Sequence, residues 1–280
     1  MKRVILSLIG ILITVAIIFT SYKIYTYAKE YEKATKNYYE YKSDIMNVLK
    51  LRFEKIINSL GMGVIKIKDQ DRAKLEKLRL KRAAIKDEID KYLYYYLGAI
   101  TLLILFFIFK DLQLYTIFLS LNGIVLLTFG ILTPILLIVI YKNIEHIGDI
   151  VLTFQSKSII GTISNLYKNN NKPIALIILI FSVIIPYLKS ITILTLALIK
   201  DCKWAKKGVA FFKHLGKWSM IDVFVVSLLL VFMSMQGGEN SKSEIEAGLY
   251  LFLGYIFLSL ISSISIEYLL KNNSYSSSSS

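Results

Sequence analysis

Residues 174–199 read IALIILIFSVIIPYLKSITILTLALI, and residues 216–231 read GKWSMIDVFVVSLLLV. These two stretches decide the fold. Both are apolar enough to cross a bilayer, and each holds one ionisable side chain. Lys189 lies three residues after Pro186, and Asp222 lies four residues after Trp218. A charge inside hydrocarbon is costly, so these two residues are the first functional candidates.

The chain around them has the composition of a polytopic membrane protein: 55% of its 280 residues are hydrophobic and the mean hydropathy is +0.56. The formal charge of +14 reads as lysine-rich cytoplasmic loops plus a basic extramembrane segment, and no nucleic-acid partner is expected. Cys202, His146 and His214 are too few to build a zinc ribbon, a disulfide framework or a haem site within one chain, so no metal and no cofactor is expected. There is no H-E-x-x-H, no G-x-S-x-G elbow and no Walker A stretch, and the chain is expected to have no catalytic activity of its own.

Outward from the two stretches, the sequence predicts six crossings. Met1-Lys2-Arg3 precedes an apolar run, Val4 to Thr20, that no small-x-small cleavage pattern follows; residues 1–22 read as an uncleaved first span. Residues 23–92 are charged and nearly free of Gly and Pro, and read as a helical hairpin broken at Gly61-Met62-Gly63. Its second arm carries Leu75, Leu78, Arg82, Ile85, Ile89 and Tyr92 at alternating steps of three and four, and its first arm carries a looser stripe through Ala34, Tyr38, Tyr41, Ile45 and Val48. The two stripes either pack on one another or join two copies of the chain as a homo-oligomer. Residues 93–111 hold the second span, behind a belt of Tyr92, Tyr94, Tyr95 and Tyr96.

Residues 112–271 hold the remaining four spans. Leu112 to Tyr141 reads as one long run that tilts or kinks near Gly130 and Pro134. A mostly polar loop, residues 142–172, contains the strand-like Ile150 to Phe154. Spans at Pro173–Ile199, Trp218–Met235 and Ala247–Ile266 follow, and the serine-rich residues 272–280 read as a disordered tail. The fold class is therefore an all-α polytopic membrane protein with an extramembrane hairpin and a short β element. Between the fourth and fifth spans stand Lys200, Lys203, Lys206, Lys207, Lys213 and Lys217 against Asp201 alone. That excess sets this loop, and with it both termini, in the cytoplasm.

In this topology Lys189 and Asp222 fall in the cytoplasmic half of neighbouring antiparallel spans, where they can pair. The pair either locks helix register or serves function. Ser182, Ser190, Thr192, Ser219 and Ser227 can extend a polar network, Glu267 closes the last span, and Pro186 bends its helix beside Lys189. Trp218 at a span start also suits an interface anchor.

The run PIALIILIFSVIIPYLK, with Pro173 and Pro186 thirteen apart, followed by Trp218-Ser219-Met220-Ile221-Asp222-Val223-Phe224, resembles the membrane domain of the paraquat-inducible protein A family. Pro134 ending an earlier span and Glu267 closing the last one are similar too. The resemblance covers roughly residues 112–271; the zinc ribbons many members carry are missing, and residues 1–111 fall outside it. It implies a bacterial inner-membrane component of a lipid-trafficking or envelope-integrity system. Phospholipid and a periplasmic mammalian-cell-entry (MCE) family protein would be its partners, and the Lys189–Asp222 pair would line a lipid pathway. A second reading, from the span–hairpin–span layout, is a sensor or scaffold that binds a partner through residues 23–92.

Overall fold

The computed structural model describes residues 2–44, 69–105, 111–144, 148–199 and 241–276. Most of them are helical. Helix α1 is Lys2–Ser43 and α2 is Asp69–Leu105. Helix α3, Leu112–Leu132, starts at Asp111, whose carboxylate accepts from the Leu114 amide at 3.3 Å. Strands β1 (Leu136–Ile144) and β2 (Gly148–Lys157) follow, then the short amphipathic helix α4 (Ile159–Lys168). Helix α5, Lys172–Leu198, strand β3 (Ser241–Ile245) and helix α6 (Ala247–Ser276) complete the described chain.

Four of these helices are long and apolar enough to cross a membrane, within Arg3–Lys42, Leu112–Leu132, Lys172–Leu198 and Ala247–Leu270. The chain is a membrane protein by this measure. The run at 93–109 is the distal part of α2, described as far as Leu105, and the run at Trp218–Met235 lies outside the described residues, as does the Gly61–Gly63 break.

Helices α1 and α2 lie antiparallel. Tyr41 meets Lys74, Thr35 meets Arg82, and Tyr27 stacks on Tyr92 with ring centroids 5.5 Å apart. The α2 stripe read from the sequence is the buried side of the helix and extends through Tyr96, Ala99 and Leu103. On α1 one seam runs from Leu6 through Ile13, Ile17, Ile24, Ala28 and Tyr31 to Tyr38 at the same alternating spacing. It continues without a break from apolar sequence into charged sequence. Forty-two residues at 1.5 Å each make α1 about 60 Å long, twice the hydrocarbon thickness, so about half of it stands clear of the bilayer. Tyr96 does not join the aromatic belt: as a seam residue it is buried, and its hydroxyl donates to the Tyr250 carbonyl.

Within the apolar layer α1 docks on α3. Asn122 Nδ2 donates to Thr14 Oγ1 at 2.9 Å and to the Phe118 carbonyl at 2.8 Å, while the Thr14 hydroxyl donates to the Gly10 carbonyl. A Cβ at Gly10 would overlap the Phe118 ring. Small residues and one buried amide are the means by which helices associate where lipid competes for every apolar contact. Nearer the start of α1, Arg3 pairs with Asp111 at 2.8 Å, and Gln113 donates to the Ala197 carbonyl at the end of α5.

The sequence reading of 112–141 as one kinked span is overturned. Helix α3 stops at Leu132, because Pro134 supplies no amide to continue it and the β-branched residues beyond find strand partners. The all-α reading is corrected by a three-stranded antiparallel sheet of order β2-β1-β3. The expected β element is real but is a β1–β2 hairpin beginning at Leu136, and the polar segment before Ala247 supplies the third strand. Of the expected tail, residues 272–276 continue α6. The sheet buries Leu137, Val139 and Val151 against Tyr39 of α1, whose ring stacks on Phe154 at 5.7 Å.

The main chain of the sheet is bonded directly to the membrane helices where α3 ends and α6 begins. The Glu246 amide donates to the Ile135 carbonyl at 2.9 Å, and the Gly248 amide to the Pro134 carbonyl at 2.8 Å. A Cβ at 248 would sit 2.5 Å from the carbonyl oxygens of Thr133 and Pro134, both main-chain atoms with nowhere to go. Gly248→Val is expected to cost about 2–4 kcal/mol, lowering the thermal midpoint in detergent. Gly98→Ala, where nothing lies within 4 Å, is expected to leave the midpoint unchanged or raise it. Equal losses for the two variants would refute this account of the joint.

Candidate functional site

Pro186 determines the local geometry of α5. A proline lacks the amide that would bond the carbonyl four residues back, here that of Ser182, and its ring crowds that carbonyl. The helix responds with a π turn, Ile180–Ile184, in which the Ile185 amide reaches back five residues to Ile180. Regular helix resumes over Ile185–Leu198. The kink is held from both sides. Tyr187 and Thr128 of α3 share a hydroxyl–hydroxyl bond of 2.7 Å, and the fully buried Tyr255 of α6 donates to the Pro186 carbonyl at 3.4 Å.

Ser182, Pro186, Lys189, Ser190, Ile193 and Ala197 form the inward face of α5, while Ile184, Leu188 and Ile191 face outward. Lys189 is 6% exposed. The structure therefore sets Lys189 and its companions Ser182 and Pro186 in the interior beside the π turn. Trp218, Ser219 and Asp222 lie outside the described residues. Thr192 bonds the Leu188 carbonyl and faces outward, so it adds nothing to a network. Glu267 is on the exposed side of α6, next to Ile266, which packs with Ile193 and Ala197. Pro134 is distant in role: it ends α3 at the joint with the sheet.

Sequence reasoning missed the buried serines of α6. Ser259, Ser262 and Ser265 are all buried, and the hydroxyls of Ser259 and Ser265 have no hydrogen-bond partner among the described residues. Since Pro186 meets Tyr255 and Ile193 meets Ile266, α5 and α6 run parallel, so one turn beyond that contact Lys189 and Ser190 share a level with Ser259. Their spacing of three was a readable helical signal. The arrangement offers an interior lysine and several small hydroxyls to a polar group entering between apolar helices.

A family model described as PqiA, Paraquat-inducible protein A, matches residues 115–270, more than half of the chain. The chain belongs to the paraquat-inducible protein A family. No curated protein and no solved structure matches it.

The matched region begins inside α3, so α1 and α2 lie outside the match. Beyond the apolar layer, Arg82 makes the charged contact of these helices with the sheet, beside the packing of Tyr39 on Phe154. It donates from Nη2 to Glu244 of β3 at 2.7 Å and from Nε to Thr35 at 3.1 Å, and its guanidinium lies 5.1 Å and 5.4 Å from the ring centres of Tyr31 and Tyr39. Nearby negative charge and the tyrosines hold Arg82 above its ordinary value despite burial, which opposes the shift. Planarity and the donor fork make this an arginine site. Arg82→Lys and Arg82→Met are both expected to loosen the hairpin, by about 1–2 kcal/mol after allowance for the half-exposed Glu244. Limited proteolysis of the α1–α2 arms reads this directly, and cleavage at the wild-type rate in both variants would refute the assignment.

Proposed function

We propose that this protein is an integral component of the bacterial inner membrane that moves phospholipid, working with a periplasmic MCE-family protein. In this reading Lys189 and Asp222 form a polar pair lining the lipid pathway, and the protein does no covalent chemistry. The observation that carries it is the buried Lys189 on a helix opened by a π turn and a proline, together with Ser259 and Ser265 of α6, whose hydroxyls have no partner among the described residues. An interior cation suits a phosphate headgroup, and a bilayer protein keeps such a charge only where it is used or paired.

The proposed topology has both termini in the cytoplasm and the hairpin and sheet in the periplasm. Two features support it. The hairpin and the sheet touch through Tyr39–Phe154 and Arg82–Glu244, so they share one side. Ala197 sits beside the start of α3, whereas Ser241 pairs with β1 beyond its end, which favours a return crossing by the 218–235 run.

Replacing Lys189 with Met and Asp222 with Asn, singly and together, is expected to reduce lipid photocrosslinking and raise envelope permeability at least tenfold at equal protein level. The double variant should be no worse than the singles if the two act as a pair. Wild-type behaviour in all three would remove transport from this pair. The alternative, a sensor or scaffold that binds through the hairpin, is favoured by the separate attachment of α1 and α2. It is tested by deleting residues 30–88: retained partner capture by the shortened chain rejects it, and lost capture with intact lipid crosslinking supports it.

A further inference from the structure

Glu246 stands between β3 and α6, at the joint where sheet and helices meet. Its carboxyl is buried at 7% exposure, Oε2 accepts from Ser156 Oγ of β2 at 2.8 Å, and Oε1 has no hydrogen-bond partner among the described residues. The groups around it come from every neighbouring element: Ser156 on β2, Glu32 on α1, Arg82 on α2 and Glu244 on β3. Tyr31 of α1 completes the cluster by donating to Glu244 at 3.4 Å. Glu32 is paired with Lys29 at 3.1 Å, so Glu244 and Glu246 are left with one guanidinium between them, and Glu244 already holds it at 2.7 Å. An ionised Glu246 would keep a buried, charged oxygen without a partner among the described residues, beside the Glu244 carboxylate; protonation removes that charge and leaves a neutral carboxyl bonded to Ser156.

We propose that Glu246 is a proton-binding site that latches the α1–α2 hairpin to the family domain, docked when the carboxyl is protonated and released when it ionises. Release follows because an ionised Glu246 must either gain water or draw Arg82 from Glu244, and both loosen the contact that holds α2 to β3. Burial and the neighbouring Glu32 and Glu244 push Glu246 up to about 7, against the opposing pull of Ser156 and Arg82. The undocked carboxyl, in water, has its ordinary value of 4.5. The docked state therefore binds the proton more tightly. Its advantage is complete below about pH 4.5 and falls as pH rises, and it is gone above about pH 7. The latch thus changes state near neutrality, within reach of a modest change in local proton concentration.

The test is a distance between spin labels at the exposed Lys77 of α2 and Gln155 of β2, each replaced by Cys in a Cys202→Ser background. The full chain in lipid nanodiscs is measured from about pH 5 to about pH 8.5. The distance distribution should lengthen with rising pH at a midpoint near 7, and Glu246→Gln should fix it at the short distance throughout. A wild-type distribution that ignores pH, or a Glu246→Gln transition with the wild-type midpoint, overturns the proposal. Should Glu246→Gln fail to fold, Glu246→Asp decides: a shifted midpoint supports the latch and an unshifted one overturns it. Lipid transport by the Lys189 site is not read in this experiment, so either reading can fail without the other.

Discussion

Two main-chain hydrogen bonds, Glu246 N–H to Ile135 and Gly248 N–H to Pro134, hold the extramembrane and membrane layers in register. They form where α3 has run out of amides at Pro134 and α6 has not yet begun its own ladder. Each helix end would otherwise leave main-chain groups without partners at the edge of the bilayer, where an unsatisfied group costs several kcal/mol. The solution is to let the two ends satisfy one another and continue outward as paired strands, Leu136 opposite Ile245. The sheet is thus an extension of the α3–α6 contact, and the close approach of Gly248 to the turn after α3 is what the bonding distance demands.

How legible this was depends on what each residue reports. The α2 stripe from Leu75 to Tyr92 was readable because a charged helix shows its buried face by contrast. Lys189 was readable as an inward residue because a lysine in an apolar run has few other places to be. Strand β1 was not. Leu136 and Ile138 are buried on one face and Leu137 and Val139 on the other, so the alternation that marks a strand is missing and the run merges with α3 before it. Strand β3, SKSEI, failed for the opposite reason: it is short and polar, and only pairing with β1 makes it a strand. Glu246 carries no signal in the sequence, because its burial is created by elements distant along the chain.

The N-terminal helices misled in a different way. Hydropathy changes sharply near Tyr22-Lys23, which suggested a span ending and a separate hairpin beginning. Seam geometry ignores that change. A residue every 3.5 positions from Leu6 to Tyr38 suits close helix packing in lipid and in water alike, since aliphatic and aromatic seam residues pack in both media. Hydropathy reports the solvent of a helix, whereas periodicity reports its partner, and here the partner is the same throughout.

That continuity gives the junction reach. Helices α1 and α2 share one seam, so release at Arg82 cannot remain a local event; the pair must move as a unit or unzip. The in-membrane dock at Thr14 and Asn122 is a natural pivot, and Thr35, beside Arg82, lies 21 positions further along α1, a lever of about 30 Å. Asn122 belongs to α3, and six residues further along the same helix Thr128 holds Tyr187 beside the Pro186 kink. The pivot of the hairpin and the clamp on the lysine-bearing helix are therefore two positions on one helix, about 9 Å apart along its axis. A rigid helix that shifts at one of them also shifts at the other, which gives the proposed latch a physical route to the packing around Lys189.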